Sequence, residues 1–372
     1  MINGNSSGLA TILFDIRAQN LSLSDVYLGF YNFYRQYNGN KMFTDPASPI
    51  GDNLMYPMVH LGERLRSMGH QVATLDMEDL SKFDAAVFLD HPTLLNPYFR
   101  RLKKMRGKKL YLFLMENAAN RPDNYWAFNH REFEKVFTWN PRLVDGKKYH
   151  RFYLPNQIPP IARLEPTEQR KFCVTIASQK YSSHPQELYS ERVRAIRWFE
   201  QHHPEKFDLF GTLWEHPYFT GRLARLNLGL QQVYARFPDV LRQQRFPAHR
   251  GTVPGKHAVL RQYKFALCYE NAVFPGYVSE KIFDALFAGC IPVYLGAPDV
   301  TNIIPPETFV DKRQFKSYSD LYAYLKNMPE KEYSGYRQAI EKFLTGPGII
   351  PFSAEHFADT VIRHIVNGDT GS

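Results

Sequence analysis

Cysteine is scarce: the 372 residues hold three, Cys173, Cys268 and Cys290. All sit in apolar contexts, with neither CxxC spacing nor an even number. They read as buried free thiols rather than disulfides or zinc ligands, and a reducing compartment is the expected home. No apolar run approaches the length of a membrane-spanning helix. The opening MINGNSSGLATILFD has no basic region before its short apolar run, so no signal peptide is expected. A DxD motif, a His/Cys cluster at ligand spacing, internal repeats and low-complexity tracts are also missing. Together these absences argue against a zinc module, a repeat array and a metal-dependent DxD enzyme.

What is present is a basic, aromatic-rich chain: net charge +9, 44% apolar and 15% aromatic residues. Such a balance suits nucleic acid, an anionic membrane surface or an anionic substrate. The length allows two domains. Apolar strand-like runs alternate with helical periodicities in both halves. Candidate strands are Ala10–Phe14, Gln71–Leu75, Ala85–Leu89, Leu110–Met115, Phe172–Ala177 and Phe207–Phe210. Helical patterns cover Asn53–Met68, Leu188–Gln201, Asp320–Met328, Glu332–Leu344 and, after Pro351, Ser353–Val366. The Pro-rich segment Leu154–Arg170 marks a linker. Two doubly wound α/β domains follow, spanning residues 1–160 and 161–350 and followed by a terminal helix in 351–372. The stretch from Glu215 to Arg250 reads as an insertion. The aromatic run Val26–Phe43 suits a core, or stacking on a sugar. Residues 100–109, RRLKKMRGKK, suit a solvated helix face, or docking on anionic lipid.

Chemistry concentrates in Tyr263–Val300, YKFALCYENAVFPGYVSEKIFDALFAGCIPVYLGAPDV. An apolar strand runs to Tyr269, a Pro/Gly loop follows, and Ser279 suits the N-cap of a helix stopped by Gly289. Ile291–Leu295 is a second strand, giving a βαβ unit with parallel strands. Lys281 is oddly placed, because the first turn already carries partial positive charge. An anion such as a phosphate would explain it; pairing with Glu280 or Asp284 on the surface is the alternative.

These motifs, YKFALCYEN followed by YVSEKIFDALFAGCIPVYLGAP, resemble the donor-binding signature of the family 10 α-1,3-fucosyltransferases. Ser279 and Tyr269 stand where Thr and Phe are usual. The resemblance is firm from Phe172 to Leu344 and thinner from Leu110 to Tyr153. It implies the B-type glycosyltransferase fold, two Rossmann-like domains facing a cleft, with the last helix packing back on the first domain. It also implies GDP-L-fucose as donor, an oligosaccharide or glycolipid acceptor (GlcNAc O3 expected), inversion at fucose and no required cofactor. Divalent metal would be at most a non-essential stimulant. The expected location is the cytoplasm or the adjoining face of the inner membrane, with peripheral contact to anionic lipid and no nucleic-acid partner.

Glycosyl transfer from a nucleotide diphosphate needs positive charge at the departing phosphates and one base for the acceptor hydroxyl. The resemblance assigns Lys281 and Arg192, in ERVRAIRWF, to the diphosphate, and Lys256 to donor contact or steering. Arg194 and Arg197 lie close enough to Arg192 to leave the register open. Glu280 is expected on ribose or sugar hydroxyls, with Asn271 and Tyr277 in the same wall. By position at strand ends, Asp15, Asp90 and Glu116 are base candidates, and the resemblance favours Glu116 in LMENAANRPDNY. Two rival readings stay open: transfer of another GDP-linked sugar, and a non-catalytic basic module.

Overall fold

The computed structural model describes residues 25–46, 54–160, 170–219, 223–237, 239–243 and 245–368. The expected strand Ala10–Phe14 and the candidate base Asp15 lie outside them. Two parallel sheets form the frame, as expected for two α/β domains. In the first, β1 (Tyr27–Tyr31), β2 (Gln71–Thr74), β3 (Ala85–Leu89), β4 (Lys109–Leu114), β5 (Lys135–Thr138) and β6 (Tyr149–Arg151) adopt the order β2-β1-β3-β4-β5-β6. In the second, β7 (Lys171–Ile176), β8 (Phe207–Phe210), β9 (Tyr263–Tyr269), β10 (Ile291–Leu295) and β11 (Val310–Asp311) adopt the order β11-β10-β9-β7-β8.

Strands buried on both faces need continuous apolar runs. Accordingly LYLFL of β4 is buried from Leu110 to Leu114, and Phe113 stacks on Phe137 of β5 with ring centroids 4.3 Å apart. Because every pairing is parallel, the carboxyl ends of the strands in each sheet open on one edge. The loops leaving those ends carry the candidate site.

The aromatic run Val26–Phe43 divides. It opens with β1, a strand that the aromatic density had hidden. Phe30, Tyr37 and Phe43 enter the core, whereas Phe33 and Tyr34 remain half-exposed. The basic run at 100–109 is not one helix face: the helix Pro97–Leu102 ends inside it, turns follow, and Lys109 already begins β4. Lys108 Nζ donates to the carbonyls of Ser81 and Phe83, so part of that charge is tied to the fold.

Within 215–250 lies a helix, Leu226–Arg236, whose Tyr234 ring stacks on His216 with centroids 4.4 Å apart. Beyond the second sheet, Phe357, Val361 and Ile365 of the segment from Ala354 to Val366 enter the first domain's core. Asp359 pairs there with Arg64 at 2.5 Å, and the Phe357 ring lies 5.4 Å from that of Phe113. Among the described residues, no helix is long and apolar enough to cross a membrane.

Candidate active site

A cleft of about 710 Å³ lies between the strand ends of the two sheets. It is lined by six of the seven expected site residues on the donor side, Arg192, Lys256, Asn271, Tyr277, Glu280 and Lys281, and by Glu116 opposite. Asp90 lines the same cleft, while Arg194 and Arg197 pair with glutamates of their own helix.

On the donor side, Glu280–Phe287 is helical, with Ile282, Phe283, Ala285 and Leu286 buried against the sheet. Ser279 does not cap it through its side chain. Instead Ser279 Oγ donates to Glu270 Oε2 at 2.7 Å, and the Ser279 amide donates to Glu270 Oε1 at 2.8 Å. The N–H groups of the helix start therefore receive no acceptor from Ser279 and, with the dipole, favour an anion.

Lys281 Nζ donates to Ser279 Oγ at 3.0 Å and to Glu280 Oε1 at 3.1 Å, and lies 3.6 Å from Glu270 Oε2. Burial works against its charge, but the Glu280 and Glu270 carboxylates outweigh burial and hold its pKa above the ordinary lysine range. Glu280 is likewise penalised by burial, yet Lys281 and Lys256 bring it down to about 2. Lys256 Nζ is paired with Asp284 Oδ2 at 2.9 Å. It is thus Lys256, not Lys281, that takes Asp284.

Arg192 is buried, and its Nη2 donates to the carbonyls of Tyr269 at 2.7 Å and Glu270 at 3.3 Å. Burial lowers its pKa, but a guanidinium stays charged. Tyr277 is buried 4.9 Å from the Trp139 ring, where the second domain reaches into the first domain's core. The preceding Gly276 has φ +79°, and a Cβ there would lie 2.3 Å from the Trp139 carbonyl oxygen. Only glycine fits that crossing.

On the opposite wall, Glu116 Oε2 accepts from Asn120 Nδ2 at 2.8 Å. Arg121 is engaged with Asp123 rather than Glu116. Asp90 is buried, and its Oδ1 accepts from the amides of Met115 and Glu116 and from Asn124 Nδ2. Burial first, and the Glu116 charge, push the Asp90 pKa up to about 6 despite those donors. One buried carboxylate therefore holds the loop that presents the other. Phe33 and Tyr34 line the cleft beside them, with the Arg121 guanidinium 4.6 Å from the Phe33 ring centroid. Trp126 and Phe128, stacked at 5.8 Å, add a second half-exposed aromatic pair after β4.

Sequence reasoning passed over Glu270, although it stands inside the quoted motif, and Lys180, which a plain polar loop concealed. Lys180 lines the cleft. Desolvation by the walls lowers its pKa, the nearby Glu116 opposes this, and Lys281 and Arg192 reinforce it. Among the described residues, no group of three or more His, Cys, Asp or Glu is placed to hold a metal ion.

Residues 242–343 match glycosyltransferase family 10 (fucosyltransferase), C-terminal part. Over that segment the chain carries the C-terminal part of a family 10 glycosyltransferase domain. Similar relatives include an α-(1,3)-fucosyltransferase of Helicobacter pylori, 45% identical over 74 residues, covering 20% of this chain and 16% of the relative. Another is a GDP-fucose protein O-fucosyltransferase 3 of Xenopus laevis, 41% identical over 91 residues, covering 24% and 19%. The chain thus spans less than a fifth of the length of either relative in these matches. A crystal structure of an α1,3-fucosyltransferase with GDP-fucose superposes with a TM-score of 0.52 at 16% identity, covering 100% of this chain and 95% of that one. At that identity the likeness is one of fold. The likeness in fold takes in the N-terminal sheet, which lies outside residues 242–343.

Proposed function

We propose that the chain transfers L-fucose from GDP-L-fucose to a hydroxyl of a glycan acceptor, with GlcNAc O3 the expected position and the anomeric centre inverted. The observation that carries this is the single cleft in which Lys281, Lys256 and Arg192 face Glu116. Glu116 takes the proton of the acceptor O–H as that oxygen bonds to the anomeric carbon from the side opposite the diphosphate. The anomeric C–O bond breaks, and its electron pair leaves with GDP. Diphosphate is already a stable anion, so it needs balancing charge rather than a proton, and the two lysines and Arg192 supply that charge. Glu280, ionised at neutral pH, accepts hydrogen bonds from ribose or fucose hydroxyls.

Donor binding is tested by calorimetry against GDP, GDP-fucose and GDP-mannose, followed by transfer to glycan and peptide acceptors; peptides belong in the screen because a protein O-fucosyltransferase is among the relatives. Equal use of GDP-mannose would replace fucose by another GDP-linked sugar as the donor reading. Salt-dependent nucleic-acid binding without GDP binding would favour the non-catalytic module.

A further inference from the structure

Glu116 and Arg192 stand on different domains, yet a short chain of contacts joins them. Glu116 Oε2 accepts from Asn120 Nδ2 at 2.8 Å. The other end of the same amide, Asn120 Oδ1, accepts from the Tyr189 hydroxyl at 2.8 Å. Tyr189 opens the second-domain helix Tyr189–His202, and the Arg192 guanidinium lies 5.4 Å from its ring centroid. Arg192 is in turn held by the Tyr269 and Glu270 carbonyls at the end of β9. Beside this crossing, Ser182 Oγ donates to the Ala119 carbonyl at 2.9 Å.

An asparagine amide has one accepting and one donating end. A hydroxyl proton aimed at Oδ1 therefore obliges Nδ2 to face Glu116. Burial pushes the Tyr189 pKa up to about 12, so the phenol stays a donor throughout the working range. With the amide reversed, Oδ1 would face a carboxylate, acceptor against acceptor. The observed arrangement anchors one Glu116 oxygen and leaves the other for a proton.

We propose that Asn120 and Tyr189 are positioning residues that orient the Glu116 carboxylate from the donor domain, so that the base is set by the same helix that carries Arg192. This rests on Glu116 being the base. The two residues act in series, which separates a relay from two independent structural contacts.

The test is GDP-fucose transfer to N-acetyllactosamine by the full chain, as a function of pH. Asn120→Ala should lower kcat roughly tenfold, the size of a hydrogen bond to a charged group. It should also move the acid limb of the pH–rate profile to higher pH, because a donor to the ionised form is lost. Tyr189→Phe keeps the ring under Arg192 and should lower kcat by a few-fold with an unchanged KM for GDP-fucose. The double variant should be no slower than Asn120→Ala alone. Multiplying losses, or an unmoved acid limb, would overturn the relay. Glu116→Gln separates the two readings. If it turns over near normally, the base assignment fails; if it is inactive while Asn120→Ala behaves as wild type, only the relay fails.

Discussion

The two walls of the cleft are parallel-sheet edges of the same kind, yet they are charged in opposite ways. On the donor wall Lys281, Lys256 and Arg192 line the cleft together with the Glu280 carboxylate, and Glu270 and Asp284 hold Lys281 and Lys256 in place. On the acceptor wall the facing group is a carboxylate held by one neutral donor, Asn120, with Asp90 pinning its loop and exposed aromatics flanking it. A wall of braced cations suits a ligand that arrives as an anion. A carboxylate with one oxygen unanchored suits proton removal from a neutral hydroxyl. The division implies that binding and proton transfer can be lost separately.

The largest effect is expected at the acceptor wall. Glu116→Gln should lower turnover about 10³-fold, in the range of a lost general base; a rate within tenfold of wild type would remove Glu116 from the mechanism. Next, Lys281→Ala should reduce transfer about 10²-fold, as for a lost transition-state charge. Because Glu270 then loses its cationic neighbour, a lower unfolding temperature should accompany that loss, and assays belong well below it. A variant with normal transfer would break the assignment of the donor wall.

Asp90 gives a pH-dependent test. Its folded pKa of about 6 lies above the ordinary carboxylate value, so the native state keeps a proton that the unfolded chain releases. Stability is therefore lost as pH rises from about 4 to 6. Asp90→Asn can still accept from the three donors at Oδ1 and carries no charge. Denaturant unfolding should show it more stable than wild type by about 3 kcal/mol at pH 7 and nearly equal at pH 4. Parallel pH profiles for the two proteins would show that the Asp90 charge is not costly.

The smallest effect is predicted at the rim. Phe33→Ala should raise the acceptor KM a few-fold, consistent with one lost aromatic contact of about 1 kcal/mol, while the donor KM stays put. A change confined to the donor KM would place that ring outside acceptor binding.

The same contrast explains what was legible beforehand. Much of the donor wall is local: β9, the helix start at Glu280 and β10 fall within one stretch bounded by Gly and Pro, so Lys281 could be singled out from its place in a first turn. Arg192, by contrast, comes from the distant helix Tyr189–His202. The acceptor wall is assembled from residues far apart in the chain. Asp90 meets Glu116 across 26 residues and Asn120 meets Tyr189 across 69, spacings that no periodicity reveals. β1 was missed because YLGFY sits inside a longer aromatic run whose outer members stay exposed. The type and position of Ser279 fit an N-cap, but a buried Glu270 competes for its hydroxyl and wins by offering an ionisable acceptor in a dry site.

The separation of binding from proton transfer is tested most directly by calorimetric titration of GDP into Glu116→Gln and Lys281→Ala side by side. The account predicts wild-type affinity for the first and a loss of tenfold or more for the second, about 1.4 kcal/mol. Equal affinities, or a larger loss in Glu116→Gln, would contradict it.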